Sequence, residues 1–118
     1  YSELTYDGYV APSVLEVPGA GEVAVELHSC SKTYNMAGLR IGFAVGNAQA
    51  LDTLLAYRTH VGYGTAWMSQ VAGAAALERH RALTPPIVAE YRARRDAVYA
   101  ALAGAGWAVQ PPKGAMYA

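Results

Sequence analysis

The sequence predicts an α/β fold. Two short apolar runs bounded by glycines, Val23–Leu27 and Leu39–Val45, lie in the first half, and three segments with helical spacing of apolar residues follow. Hydrophobic residues make up 53% of the 118 and charged residues 15%, the balance of a chain that buries a core and not of a disordered tail. The length is that of one ordinary domain.

Residues 8–21 contain Gly8, Pro12, Pro18, Gly19 and Gly21, so they read as a surface connection with at most one short element around Ser13-Val14-Leu15. Val23–Leu27 is then a buried strand, the residues around Lys32 a loop, and Leu39–Val45 a second strand between Gly38 and Gly46. Asn47 caps a helix carrying Leu51, Leu54, Leu55 and Val61, which Gly62-Tyr63-Gly64-Thr65 breaks. A further helix runs from about Ala66 to Arg81 with Met68, Val71, Ala72, Ala75 and Ala76 along one side. Thr84-Pro85-Pro86 reads as the cap and first turn of a long helix to about Ala103, ended by Gly104 and Gly106. Ile87, Tyr91, Val98 and Leu102 form its buried stripe, and Arg92, Arg94 and Arg95 a solvated face. Trp107-Ala108-Val109 and Met116-Tyr117 read as strands on either side of Pro111-Pro112-Lys113-Gly114.

Nine acids balance nine bases, which leaves no electrostatic footprint for nucleic acid or an anionic membrane. The single cysteine, Cys30, excludes an intrachain disulfide framework and fits a reducing, cytoplasmic setting. No apolar run approaches the roughly 20 residues that cross a bilayer. The chain opens on Tyr1-Ser2-Glu3 and stops at Met116-Tyr117-Ala118 as a strand begins, so it is expected to be an internal piece of a longer polypeptide.

Chemistry concentrates in Ser29-Cys30-Ser31-Lys32-Thr33-Tyr34-Asn35-Met36-Ala37-Gly38-Leu39-Arg40-Ile41-Gly42. Lys32 brings an amine able to form a Schiff base, its neighbours bring hydroxyls, and Arg40 brings a guanidinium set among apolar residues. A buried arginine needs an anionic partner, either an external phosphate or a carboxylate such as Glu26 or Glu78. Ser31 and Thr33 either contribute hydroxyls to a ligand or shape the loop through bonds to backbone. Other signals fail. Ser31-Lys32-Thr33 lacks the glycines of a Walker loop, and Gly19–Ala24 precedes a strand where a dinucleotide loop would follow one. His28, His60 and His80 have no metal-ligand spacing, and Cys30 has no matched base.

The lysine run resembles the cofactor segment of the class I/II aminotransferases, fold-type I enzymes that use pyridoxal 5′-phosphate. Asn35-Met36-Ala37-Gly38, Tyr63-Gly64-Thr65 and the run from Tyr91 through Arg94-Arg95-Asp96 bring the likeness nearest to alanine (glutamate–pyruvate), aspartate and LL-diaminopimelate aminotransferases. The resemblance covers nearly the whole chain. It implies that Lys32 carries the cofactor as a Schiff base and shuttles the substrate α-proton. It also implies that Ser29 and Arg40 bind the phosphate, with Ser31 beside them. Tyr1 would close an Asp-x-x-Tyr pattern and donate to the cofactor's phenolic oxygen, or be a chain-end tyrosine without a role. Tyr63, Gly64 and Thr65 would form a loop reaching a neighbouring subunit's active site, or a plain turn.

On that template residues 1–83 finish a large cofactor domain with a mostly parallel sheet. Residues 84–104 are the interdomain helix, and 105–118 begin a small domain. The implied reaction moves an amino group between an amino acid of alanine, aspartate or glutamate type and a 2-oxo acid, in a homodimer that binds neither nucleic acid nor membrane. A carbon–sulfur lyase or synthase of the same fold type, a cofactor-sensing domain of a regulator, and an inactive structural homologue stand as alternatives. The aspartate for the pyridine nitrogen and the arginine for the substrate carboxylate would lie outside these residues, so the 118 residues alone are expected to be inactive.

Overall fold

The computed structural model describes residues 1–117. Its sheet, among those residues, is one antiparallel pair, β1 (Val25–Ser29) and β2 (Gly42–Gly46), with Val25 opposite Gly46 and Ser29 opposite Gly42. The α/β class holds, but no parallel pairing occurs among the described residues. Glycine at both ends of β2 has a physical cause. A Cβ on Gly42 would lie 2.5 Å from the His28 carbonyl oxygen, and one on Gly46 would lie 2.3 Å from that of Ala24. The two backbones therefore approach more closely than any side chain allows. Between these ends His28 stacks on Phe43 with ring centroids 5.0 Å apart.

Both strands start later than the apolar runs imply. Gly19, in the left-handed region, turns the chain into a one-turn helix α1 (Ala20–Val23), so Val23 closes a helix and does not open the strand. A 3₁₀ turn at Ala37–Leu39 and a left-handed Arg40 likewise keep the second run from extending until Gly42. The lysine segment is no loop either. Cys30–Thr33 form a helical turn, α2, because the Ser29 hydroxyl oxygen caps it by accepting from the Ser31 N–H at 3.2 Å.

Helix α3 (Ala48–Val61) forms as its sequence predicts: Asn47 Oδ1 accepts from the Ala50 N–H at 2.8 Å, and Asn47 Nδ2 donates to the Glu22 carbonyl. Helix α4 (Trp67–Glu78) is shorter than expected and buries the face of Ser69, Gly73 and Ala76, while Met68 and Val71 point outward. The small face is the one that lets Ile41 come up against Gly73.

Helix α5 spans His80–Gly104 and takes in the proline pair that was expected to start it. Pro85 and Pro86 withdraw only the donors to the Arg81 and Ala82 carbonyls. The turn before them still closes, through Leu83 N–H to the Arg79 carbonyl at 3.0 Å and the Thr84 hydroxyl to the His80 carbonyl at 2.8 Å. Val98 of the predicted buried stripe is 43% exposed. The strands expected at 107–109 and 116–117 do not form. Their region offers a single bridge, Thr5 to Gly114, and a strand requires a ladder.

The best-buried side chains are Leu4, Tyr6 and Cys30. Leu4 and Tyr6 are covered by residues 113–115, with Tyr6 N–H to the Lys113 carbonyl at 2.9 Å and the Tyr6 hydroxyl to the Ala115 carbonyl at 2.6 Å. Arg95 covers the Tyr6 ring from α5 at 4.6 Å, bonds Asp7, Asp96 and the Pro112 carbonyl, and keeps only 10% of its side chain exposed. It does not belong to the solvated face that was expected. The molecule is extended: its radius of gyration is 17.5 Å, against about 13.5 Å for a compact chain of this length. Accordingly Leu55, Trp67 and Met68 are all more than half exposed. Among the described residues no helix is long and apolar enough to cross a membrane.

Candidate functional site

The hairpin builds one end of the site. Register places Ser29 opposite Gly42, and the Cys30 N–H extends the pairing by bonding the Ile41 carbonyl at 3.1 Å. That bond closes the intervening loop, so the α2 turn bearing Lys32 and the corner bearing Arg40 emerge at the same end of the sheet. Ser29 caps the turn and Ser31 lies within it. The Ser29 hydroxyl oxygen is engaged by the Ser31 N–H, which leaves its own proton to give away.

Arg40 departs from expectation in two ways. It precedes the strand instead of lying inside it, and it is exposed, not buried. Its backbone sits at φ 51°, ψ 49°, a region that costs a non-glycine residue of order 1–2 kcal/mol. One guanidinium nitrogen donates to the Ala37 carbonyl at 2.9 Å, which steadies the side chain and leaves most of its N–H groups unspent. The carboxylates named as its possible partners are not there. Glu26 accepts from the Ser13 hydroxyl, the Val14 N–H and His28, contacts that hold its carboxyl below the usual range. Among the described residues neither Lys32 nor Arg40 has a carboxylate within ion-pair distance. Two cations and a free hydroxyl at one corner, without an acid, fit a ligand that carries a phosphate and a carbonyl.

Tyr1 does not touch this corner. Its hydroxyl bonds that of Tyr117 at 2.8 Å with the rings edge-on, and the contact raises its pKa. Tyr1 lines a recess that shares Ser2, Glu3 and His28 with the neighbouring recess lined by Ser29, Thr33 and Tyr34. Tyr63 is fully exposed, Gly64 has φ 80°, and the Thr65 carbonyl accepts from Gln70 at 2.7 Å. This loop lines an open recess with Ile41 and Gly42, the residues that follow Arg40. Cys30 is buried, which pushes its thiol up and away from nucleophile chemistry. By sequence alone Tyr34 carries no role, Asn35 enters only as part of the family resemblance, and His80 is weighed only as a metal ligand; the contacts that join Tyr34 and Asn35 to α5 have no local sequence signal.

A family model described as "Aminotransferase class I and II" matches residues 1–118. The chain belongs to that family. Members are pyridoxal-phosphate enzymes, and the chain spans about 30% of the length of the curated relatives it matches. It is 45% identical over 117 residues to LL-diaminopimelate aminotransferase 2 of Nostoc sp. PCC 7120, covering 99% of this chain and 30% of that protein. It is 46% identical over 117 residues to the glutamate-pyruvate aminotransferase of Escherichia coli K12, covering 99% of this chain and 28% of that protein. Among solved structures, an aminotransferase from Staphylococcus aureus superposes with a TM-score of 0.85 at 35% identity, covering 97% of this chain and 30% of that one. A probable N-succinyldiaminopimelate aminotransferase from Thermus thermophilus gives 0.79 at 36% identity, covering 88% and 28%. These aminotransferase likenesses extend over the elements that form the lysine corner.

Proposed function

We propose that the full-length protein is a pyridoxal 5′-phosphate-dependent aminotransferase. It moves an amino group between an amino acid of alanine, aspartate or glutamate type and a 2-oxo acid, and relatives named for diaminopimelate and for glutamate and pyruvate support that class. The observation that carries the reading is the Cys30–Ile41 bond, which brings the segments of Lys32 and Arg40 to one end of the hairpin, where among the described residues neither has a carboxylate within ion-pair distance.

Pyridoxal 5′-phosphate supplies an aldehyde that takes up amino groups and a conjugated ring that takes up electrons from the substrate Cα–H bond. Arg40 and Ser29 would hold its phosphate by charge-assisted and hydroxyl hydrogen bonds, with Ser31 beside them. The Lys32 amine would hold its carbonyl carbon and, when free, would serve as the group that takes up and gives back the substrate α-proton. Tyr1 is proposed as donor to the cofactor's phenolic oxygen, which requires it to leave Tyr117. Residues 1–83 are assigned to the large domain, 84–104 to the connection and 105–118 to the start of the small domain; helix α5, His80–Gly104, contains the whole of the proposed connection.

A homodimer is proposed, with the Tyr63-Gly64-Thr65 loop reaching the neighbouring site; the full exposure of Tyr63 supports it. A cytoplasmic setting is supported by the free, buried Cys30. The test is borohydride reduction of the full-length protein with cofactor bound, followed by peptide mapping. An adduct on Lys32 is expected. Bound cofactor with Lys32 unmodified would sink the mechanism.

A further inference from the structure

The lysine's turn is four residues long, too short to be stable by itself. Its leading end is fixed to the hairpin by the Cys30–Ile41 bond. Its trailing end is fixed to α5. The Tyr34 hydroxyl meets His80 Nδ1 at 2.9 Å, with the rings edge-on and 5.9 Å apart, and the Tyr91 hydroxyl donates to Asn35 Oδ1 at 3.3 Å. The two residues that directly follow the turn are thus held from 46 and 56 positions away.

His80 is itself oriented. Its Nε2 lies 3.3 Å from a Glu3 carboxylate oxygen, within ion-pair distance, and in the tautomer that carries its proton on Nε2 the Nδ1 atom accepts from Tyr34. Thr84 Oγ1, 3.2 Å from the same Nδ1, gives its own proton to the His80 carbonyl and so does not compete for it. Burial raises the Tyr34 pKa, so its hydroxyl stays protonated. Glu3, His80 and Tyr34 thus stand in successive contact, and Tyr34 directly follows the Lys32 turn.

We infer that His80 is a positioning residue of the lysine site: paired with Tyr34, it holds the Lys32 turn against the first turn of α5. The inference rests on the proposed role of Lys32, but it concerns a different contact. Because α5 is the connecting helix of the proposed domain arrangement, the lysine's position is tied to the helix that leads out of its own domain.

The test uses the full-length protein with His80→Phe, His80→Asn, Tyr34→Phe and the double variant Tyr34→Phe/His80→Phe. Hydrogen exchange at the Tyr34 and Asn35 amides is read without cofactor; kcat and KM are read with it. His80→Phe keeps a ring but no acceptor and should speed exchange at both amides about fivefold, the factor expected for one net hydrogen bond. It should lower kcat by at least that factor with KM unchanged. His80→Asn, which restores an acceptor near Nδ1, should recover most of both effects. Tyr34→Phe should match His80→Phe, and the double variant should be no worse than either single one. Unchanged exchange in both Phe variants, additive losses in the double variant, or no recovery with Asn would overturn the inference. Borohydride trapping on Lys32 in the unsubstituted protein tells such a failure apart from failure of the cofactor reading.

Discussion

At the scale of single residues, the site depends on one amine and one guanidinium that do different work. Lys32→Ala should abolish trapping of the cofactor by borohydride and lower turnover by at least about 1000-fold, within the range that a positioned proton-transfer group contributes. Arg40→Ala should leave trapping possible but weaken cofactor binding about 10- to 100-fold, the worth of one charge-assisted contact of about 1.5–3 kcal/mol. Cofactor titration followed by fluorescence reads it directly. The left-handed backbone at Arg40 adds a second expectation. Arg40→Gly should bind cofactor as poorly as Arg40→Ala yet be more stable by about 1 kcal/mol, because glycine adopts that conformation without strain. An alanine variant at least as stable as the glycine one would show that the strain is absent. A non-glycine residue kept at a strained corner fits a side chain needed for its guanidinium.

At the scale of elements, the hairpin is the part that cannot be altered. Gly46→Ala would press a Cβ against the Ala24 carbonyl at 2.3 Å with φ at 134°, so a loss of about 3 kcal/mol is expected, measured as a shift of the denaturation midpoint. Asn47→Ala should cost about 1 kcal/mol by removing the cap of α3. That helix was legible from the sequence because its cap, length and terminating glycine are all local signals. So was the content of the lysine corner, since Lys32 and Arg40 stand in one short run. That they serve one site was expected from the family resemblance, but the backbone that joins their segments was not legible, because it rests on the antiparallel register and on a bond from Cys30 to Ile41. Nor was the start of α5. Thr84-Pro85-Pro86 has the composition of a cap, but the preceding turn closes through Leu83 and the Thr84 hydroxyl, and tertiary contacts at His80 hold it. Arg95 was misread for a similar reason: Arg92, Arg94 and Arg95 look like one solvated face until Tyr6 and Asp7 arrive from the other end of the chain.

At the scale of the whole molecule, that arrival makes the first residues, α5 and the last residues one unit. The Arg95 guanidinium bonded to Asp7 holds the aspartate carboxyl below its ordinary value. A depressed carboxylate contributes stability above its unfolded pKa and loses it as pH falls through the folded one. Protection of the amides of residues 4–6, corrected for the intrinsic pH dependence of exchange, should therefore fall as pH drops below about 3.8, and Asp7→Asn should flatten that loss. The effect is small and salt-sensitive, because Asp7 is 63% exposed. A steep dependence retained in Asp7→Asn would assign the titration elsewhere. The extended shape and bare apolar helices also predict that the 118 residues expressed alone self-associate on gel filtration and catalyse no transamination. Turnover by that isolated chain would show that Lys32, Arg40 and their neighbours suffice.

Pro85 and Pro86 make α5 a lever. A helix resists bending through its ladder of backbone bonds, and this one lacks two successive rungs close to the end that His80 pins. From Ile87 to Gly104 the intact arm is about 27 Å long at 1.5 Å per residue. A bend of about 10° at the prolines would sweep the far end through about 5 Å, leaving the Tyr34–His80 contact in place and loading the Tyr91–Asn35 bond on the moving arm. The stiffness of the connection is thus unevenly distributed, with its softest point one turn from the lysine's anchor.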